Sequence, residues 1–99
     1  MIRHLVLLQL RPECPPEAIA ELAVRLRALR EQIPELSAMQ CGPDLGVLEE
    51  PFNFAISADF LDVPAYEAYA RHPAHQRVIK ELIAPWLVTR CRAQIDLSG

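Results

Sequence analysis

Apolar and polar positions alternate from the start of the chain. Over residues 2–11, Ile2, His4, Val6, Leu8 and Leu10 share one face, while Arg3, Leu5, Leu7, Gln9 and Arg11 share the other. That period of two predicts a strand, and the apolar groups on both faces predict that it is covered on both sides. The proline-rich segment Pro12 to Pro16 ends it, because proline removes a ladder donor. The period then lengthens. Ile19, Leu22, Ala23, Leu26, Leu29 and Ile33 recur at helical spacing, which predicts a helix from Glu17 to Ile33. Pro16 suits its first turn, Glu17 complements the positive end of its dipole, and Pro34 stops it. Residues 35–42 suggest a second strand halted by Gly42-Pro43, followed by a loop from Asp44 to Pro51. The clearest alternation lies in residues 52–60, where Phe52, Phe54, Ile56, Ala58 and Phe60 oppose Asn53, Ala55, Ser57 and Asp59.

Asp62 can cap a further helix that runs to about Arg71. Pro73 breaks that helix and starts another from Ala74 to about Trp86. In the last strand, residues 87–97, Leu87, Thr89, Cys91, Ala93, Ile95 and Leu97 face one way and Val88, Arg90, Arg92, Gln94 and Asp96 the other. The order βαββαβ predicts an α+β protein: a ferredoxin-like four-stranded antiparallel sheet with both helices on one face. The opposite face would carry Leu5, Leu7, Met39, Ala55, Ser57 and Val88. A monomer would leave that partly apolar sheet wet, so two copies are expected to pair sheet to sheet.

Composition narrows the function classes. Ninety-nine residues are enough for one domain, and 52% hydrophobic content is ample for a packed core. A net charge of −3 without a basic cluster gives no support for nucleic-acid binding. Arg25, Arg27 and Arg30 are flanked by Glu21 and Glu31 and read as a solvated helix face. No apolar run is long enough to span a membrane, and Met1 to Leu10 is too short for a secretory signal, so a cytoplasmic protein is expected. Cys14, Cys41 and Cys91 are odd in number and lack metal-ligand spacing, as reduced thiols would be.

The candidate chemistry centres on His72-Pro73-Ala74-His75-Gln76. Ile79, Leu82 and Trp86 follow His75 at offsets of four, seven and eleven, so all four share one helical stripe and the imidazole is aimed inward. An inward histidine suits either acid/base work or a structural hydrogen bond. His72, just before Pro73, suits capping of the free amides at the helix start. His4 shares a face with Val6 and Leu8. The Tyr69 hydroxyl suits either polarising a substrate oxygen or packing with its tip satisfied. The spacing of the three histidines does not match a zinc site.

Taken together, His4-Leu5-Val6-Leu7-Leu8, Leu29-Arg30-Glu31-Gln32-Ile33-Pro34, Gly42-Pro43, the Phe54–Phe60 strand, His72-Pro73-Ala74-His75 and Ala84-Pro85 resemble the stress-responsive dimeric α/β-barrel domain, Dabb. The resemblance implies a homodimer whose two sheets close into a barrel. A plant member is a polyketide cyclase with a cavity between sheet and helices; by motif position its working histidine, tyrosine and nearby first-strand histidine fall on His75, Tyr69 and His4. Trp86 matches an aromatic that lines that cavity. A further tyrosine of the cyclase is Leu26 here, and Asn53 stands where the family usually has aspartate. The family also implies a weak magnesium site made by the main-chain carbonyls of Arg30, Ile33 and Leu36, which helix-end carbonyls could supply; no other cofactor is expected.

The resulting expectation is a cofactor-independent lyase or cyclase acting on a small apolar carbonyl compound. His75 would be the base, Tyr69 and His4 would orient or polarise, and Val6, Leu8, Leu22, Leu26, His72 and Trp86 would meet the ligand. The alternatives are a stress-associated dimeric module that binds a small ligand without turnover, and, by analogy of fold alone, a cofactorless monooxygenase.

Overall fold

The computed structural model describes residues 1–98. Its elements are β1 (Ile2–Leu10), α1 (Pro16–Gln32), β2 (Ala38–Pro43), β3 (Phe54–Phe60), α2 (Val63–Arg71), α3 (Pro73–Val78), a π-helical turn (Ile79–Ile83) and β4 (Leu87–Asp96). The strands form one antiparallel sheet in the order β2-β3-β1-β4, the ferredoxin-like arrangement. The alternation in β1 and β3 sets what faces the helices. His4, Val6 and Leu8 lie opposite Ala58, Ile56 and Phe54, so their side chains share one side. There they meet Leu22, Leu26 and Leu29 of α1 in the core. Full burial of each such side chain stabilises by about 1.5–3 kcal/mol.

Of the residues expected on the open face, Met39 lies elsewhere and Val88 leaves the regular ladder. Met39 pairs with Ala58, and the pleat therefore turns it to the helix side, where it is buried. Val88 is the extra residue of a β-bulge: Gln9 pairs with Thr89 while Leu10 pairs with Leu87. The bulge reverses the facing of Leu87 relative to the strict alternation predicted for 87–97, so Leu87 turns to the helix side beside Leu10. Beyond it, Arg90, Arg92 and Gln94 lie opposite Leu8, Val6 and His4, also on the helix side. The open face consists of Leu5, Leu7, Ala55, Ser57, Cys91, Ala93 and Ile95, with Arg3 gripping Asp59 across the strands at 2.8 and 3.0 Å.

Asn53 stands just ahead of β3 instead of inside it. Its Oδ1 accepts the Leu10 N–H and its Nδ2 donates to the Leu10 carbonyl, both at 2.9 Å. Its own N–H donates to the Leu8 carbonyl at 2.9 Å. The amide thus imitates one more residue of ladder where β1 leaves β3. An ionised carboxylate, which only accepts, could not make both bonds.

The helical segment after β3 follows its punctuation. Asp62 accepts the Ala65 N–H at 3.0 Å and caps α2. His72 closes α2 and caps α3 through Nδ1, which accepts the Ala74 N–H at 3.0 Å. The expected regular helix from Ala74 to Trp86 instead widens after Val78, where the Ala84 N–H reaches back to the Ile79 carbonyl at 2.8 Å. One extra residue in that turn rotates the following side chains. Ile83, and not Leu82, takes the buried position. No helix among the described residues is long and apolar enough to cross a membrane. The three cysteines are free.

Candidate functional site

Between the helix side of β1 and β4 and the helices lies a cavity of about 350 Å³. Its apolar wall is Val6, Leu8, Leu26, Ile56, Ile79 and Ile83, and its polar lining includes His4, Tyr66, Tyr69, His75, Arg90 and Arg92. Strand alternation delivers His4, Val6 and Leu8 to it. The break at His72-Pro73 delivers His75. The π-helical turn, a distortion that recurs at functional sites, forms part of the wall.

The break also fixes which nitrogen of His75 carries the proton. The last carbonyls of a helix lack intrahelical partners. The Ala70 carbonyl, near the end of α2, lies 3.2 Å from His75 Nδ1. A carbonyl only accepts, so Nδ1 donates and Nε2 keeps its lone pair. Gln76 Nε2 donates to the same carbonyl. His4 has the opposite polarity. The Gln94 side-chain nitrogen donates to its Nδ1 at 3.0 Å, which leaves the proton on Nε2. One ring therefore offers an acceptor and the other a donor.

The rings make a continuous aromatic run. His4 lies against Tyr66 with centroids 4.8 Å apart, Tyr66 against Phe60 at 5.6 Å, Phe60 against Tyr69 at 5.0 Å, and Tyr69 against His75 at 4.2 Å. Buried tyrosine hydroxyls usually find a protein partner. Among the described residues, neither tyrosine hydroxyl nor His75 Nε2 does, and none of the three is sealed from the cavity.

Burial favours the neutral forms of His75, His4 and Tyr69. Burial pushes His75 below the ordinary imidazole value, against the opposing effect of the Ala70 carbonyl, and nearby His72 lowers it further. Burial also lowers His4, with help from the positive charge of Arg92 and from His75. Burial, more than the proximity of Tyr66 and Cys41, pushes the Tyr69 hydroxyl far above its usual range, so it stays protonated and acts as a hydrogen-bond donor. An imidazole lone pair beside a protonated phenol can take a proton from carbon or oxygen while the phenol holds a neighbouring carbonyl oxygen.

Of the residues singled out from the sequence, the cavity gathers His75, Tyr69, His4, Val6, Leu8 and Leu26. Leu22, His72 and Trp86 are not on its wall: Leu22 is fully buried in the core, His72 is occupied as a cap, and the π-helical turn leaves Trp86 off the stripe. Tyr66, expected as core or pocket wall, lies on the wall, whereas Arg90 and Arg92 were not expected there. Tyr66 lies one helical turn before Tyr69, a spacing that puts both on one face. The arginines share the parity of His4 once β4 is registered on β1.

Of the carbonyls that the resemblance implied for magnesium, that of Ile33 accepts the Leu36 N–H at 3.1 Å. Three neutral oxygens fall short of the near-octahedral shell magnesium demands, and water would have to supply the rest. Among the described residues no three His, Cys, Asp or Glu side chains group around a cation position. No step below runs through a metal.

Comparison with known proteins extends these observations. Residues 2–96 match the stress responsive A/B barrel domain. An uncharacterised protein of Streptomyces coelicolor is 35% identical over 79 residues, covering 77% of this chain and 80% of that protein. A crystal structure of a dimeric ferredoxin-like protein of unknown function from Thermobifida fusca superposes with a TM-score of 0.87 at 32% identity, covering 97% of this chain and 90% of that one. Hydroxynitrile lyase from Passiflora edulis shares the fold, with a TM-score of 0.84 at 19% identity over 99% and 95% of the two chains.

Proposed function

The chain belongs to the stress responsive A/B barrel domain family, Dabb, and from that premise we propose that its cavity binds a small, largely apolar carbonyl compound and moves a proton on it. The observation that carries this reading is the set of unpartnered polar groups, His75 Nε2 and the hydroxyls of Tyr66 and Tyr69, on an otherwise apolar cavity wall. His75 Nε2 takes the proton from the carbon next to the carbonyl and becomes imidazolium. The electron pair of that C–H bond moves into the carbonyl, and the enolate oxygen is held by the Tyr69 hydroxyl. His4 Nε2–H orients the ligand. The enolate carbon then attacks a second carbonyl of the same molecule, whose oxygen takes the electron pair and receives the proton back from His75, as a cyclase requires, or the carbon itself is reprotonated by His75. That a chain of the same fold is a hydroxynitrile lyase supports acid/base chemistry on this scaffold. No residue of the cavity favours oxygen chemistry.

Proton exchange tests this directly. In D2O, the protein should speed deuterium incorporation beside the carbonyl of phenylacetone, His75→Gln should abolish the gain, and Tyr69→Phe should reduce it. If phenylacetone shifts the His75 resonances without any exchange, the cavity is a binding site without turnover. If it neither binds nor exchanges, the proposal fails.

We propose further that the protein pairs with a second copy through the open sheet face, closing two sheets into a barrel. The exposed Leu7 on the inner strand β1 and Ile95 on the edge strand β4 of that face support this, as does the dimeric Thermobifida fusca relative. Sedimentation should give a dimer for the native chain and a monomer for Leu7→Lys; a native monomer would refute the pairing.

A further inference from the structure

The cavity carries a charge imbalance that a neutral ligand would leave unused. Arg90 and Arg92 both line it, two residues apart on β4 and therefore on the same side of the strand. No aspartate or glutamate lines it. The ion pairs among the described residues are Arg3 with Asp59 and Arg25 with Glu81, so neither cavity arginine is neutralised by a partner. The other titratable lining groups are the two histidines and two tyrosines. A chain with a net charge of −3 thus presents the guanidinium groups of two exposed residues at a largely apolar cavity wall.

Resting on the ligand-binding reading above, we propose that the ligand of this cavity is an amphipathic anion: a small apolar carbonyl compound bearing a carboxylate, which Arg90 and Arg92 grip. A guanidinium presents paired donors in a planar fork that matches a carboxylate, and it stays charged at any working pH. Arg90 lies opposite Leu8 and Arg92 opposite Val6, so the charged head sits on β4 while the apolar body lies along β1 and under α1 at Leu26. The reacting carbonyl then lies by Tyr69 and His75, whose tilted rings have centroids 4.2 Å apart. The cavity, about 350 Å³, suits a molecule of roughly a dozen non-hydrogen atoms when the volume of a liquid water is the yardstick.

The test compares 3-phenylpropanoate with 3-phenylpropanamide, which differ in charge at nearly equal size. Calorimetry gives the two dissociation constants, and His75 and His4 resonances report occupancy of the cavity. The acid should bind at least tenfold more tightly than the amide. Arg90→Gln/Arg92→Gln should erase that preference, with a native circular dichroism spectrum and unfolding midpoint checking that the variant is folded. Arg90→Lys/Arg92→Lys should keep part of it. The bound acid, and not the amide, should raise the His4 pKa, because it screens Arg92. Equal affinities of acid and amide, with both shifting His75, would overturn the anion proposal and leave the cavity reading standing. Failure of both compounds to bind or to move His75 would overturn both.

Discussion

Replacing Tyr69 with phenylalanine separates a hydroxyl that serves a ligand from one that serves the fold. The ring is buried, 3% exposed, with centroids 5.0 Å from Phe60 and 4.2 Å from His75. Phenylalanine keeps all of that packing. The hydroxyl has no protein hydrogen-bond partner among the described residues, so removing it strands no buried acceptor. Had it bonded to a buried protein group, the substitution would cost about 1–3 kcal/mol. In a domain of this size that would lower Tm by roughly 4–8 °C per kcal/mol. The structure instead predicts stability within about 0.5 kcal/mol of the native chain, measured by urea and thermal unfolding. Ligand binding should respond differently. A neutral hydrogen bond from the phenol to a ligand carbonyl is worth about 0.5–1.5 kcal/mol, so phenylacetone should bind roughly twofold to tenfold more weakly. Destabilisation beyond about 1 kcal/mol with unchanged binding would refute the reasoning, since the hydroxyl would then be structural.

Two further outcomes concern the fold that holds the site. Burial holds His4 and His75 below the ordinary value of 6.5, so the unfolded chain takes up protons first as pH falls. Stability should therefore be full above about pH 6.5 and decline as pH drops from there through the folded-state values, and His75→Gln should flatten part of that decline in pH-dependent urea unfolding. Arg3 holds Asp59 below 3.8, so loss of that contribution belongs to a separate, more acidic window. Asn53→Ala removes both side-chain bonds to Leu10 and should lower stability by about 1–3 kcal/mol in the same assay; Asn53→Asp, which keeps the acceptor half, should fall between.

Much of this architecture was legible because it rests on alternation and punctuation. Leu8, Phe54 and Phe60 are buried where a period of two puts them, and Asp62, Pro73 and Pro34 stop or start helices as their chemistry requires. His75 and His4 reached the cavity for the same reason. What the pattern hid were single-residue phase changes. The bulge at Val88 altered which way Leu87 faces, and the π-helical turn moved Ile83 into the place expected for Leu82 and left Trp86 aside. Neither carries a glycine or proline signal within it. Met39 was misplaced because the six residues of β2 alternate too weakly to fix their own register, which comes from pairing with β3. Arg90 and Arg92 are exposed residues, and only the register of β4 on β1 puts them beside the cavity. Asn53 made sense only once Leu10 was seen beside it.

The account turns on His75 offering an unprotonated Nε2 to the cavity at neutral pH. Nitrogen-15 NMR of the imidazole across pH, with and without phenylacetone, measures this directly. The expected result is a proton on Nδ1, a bare Nε2, a titration midpoint below 6.5, and a shift of the Nε2 resonance on ligand addition. A proton on Nε2, or a midpoint at or above 6.5 with no response to ligand, would contradict it.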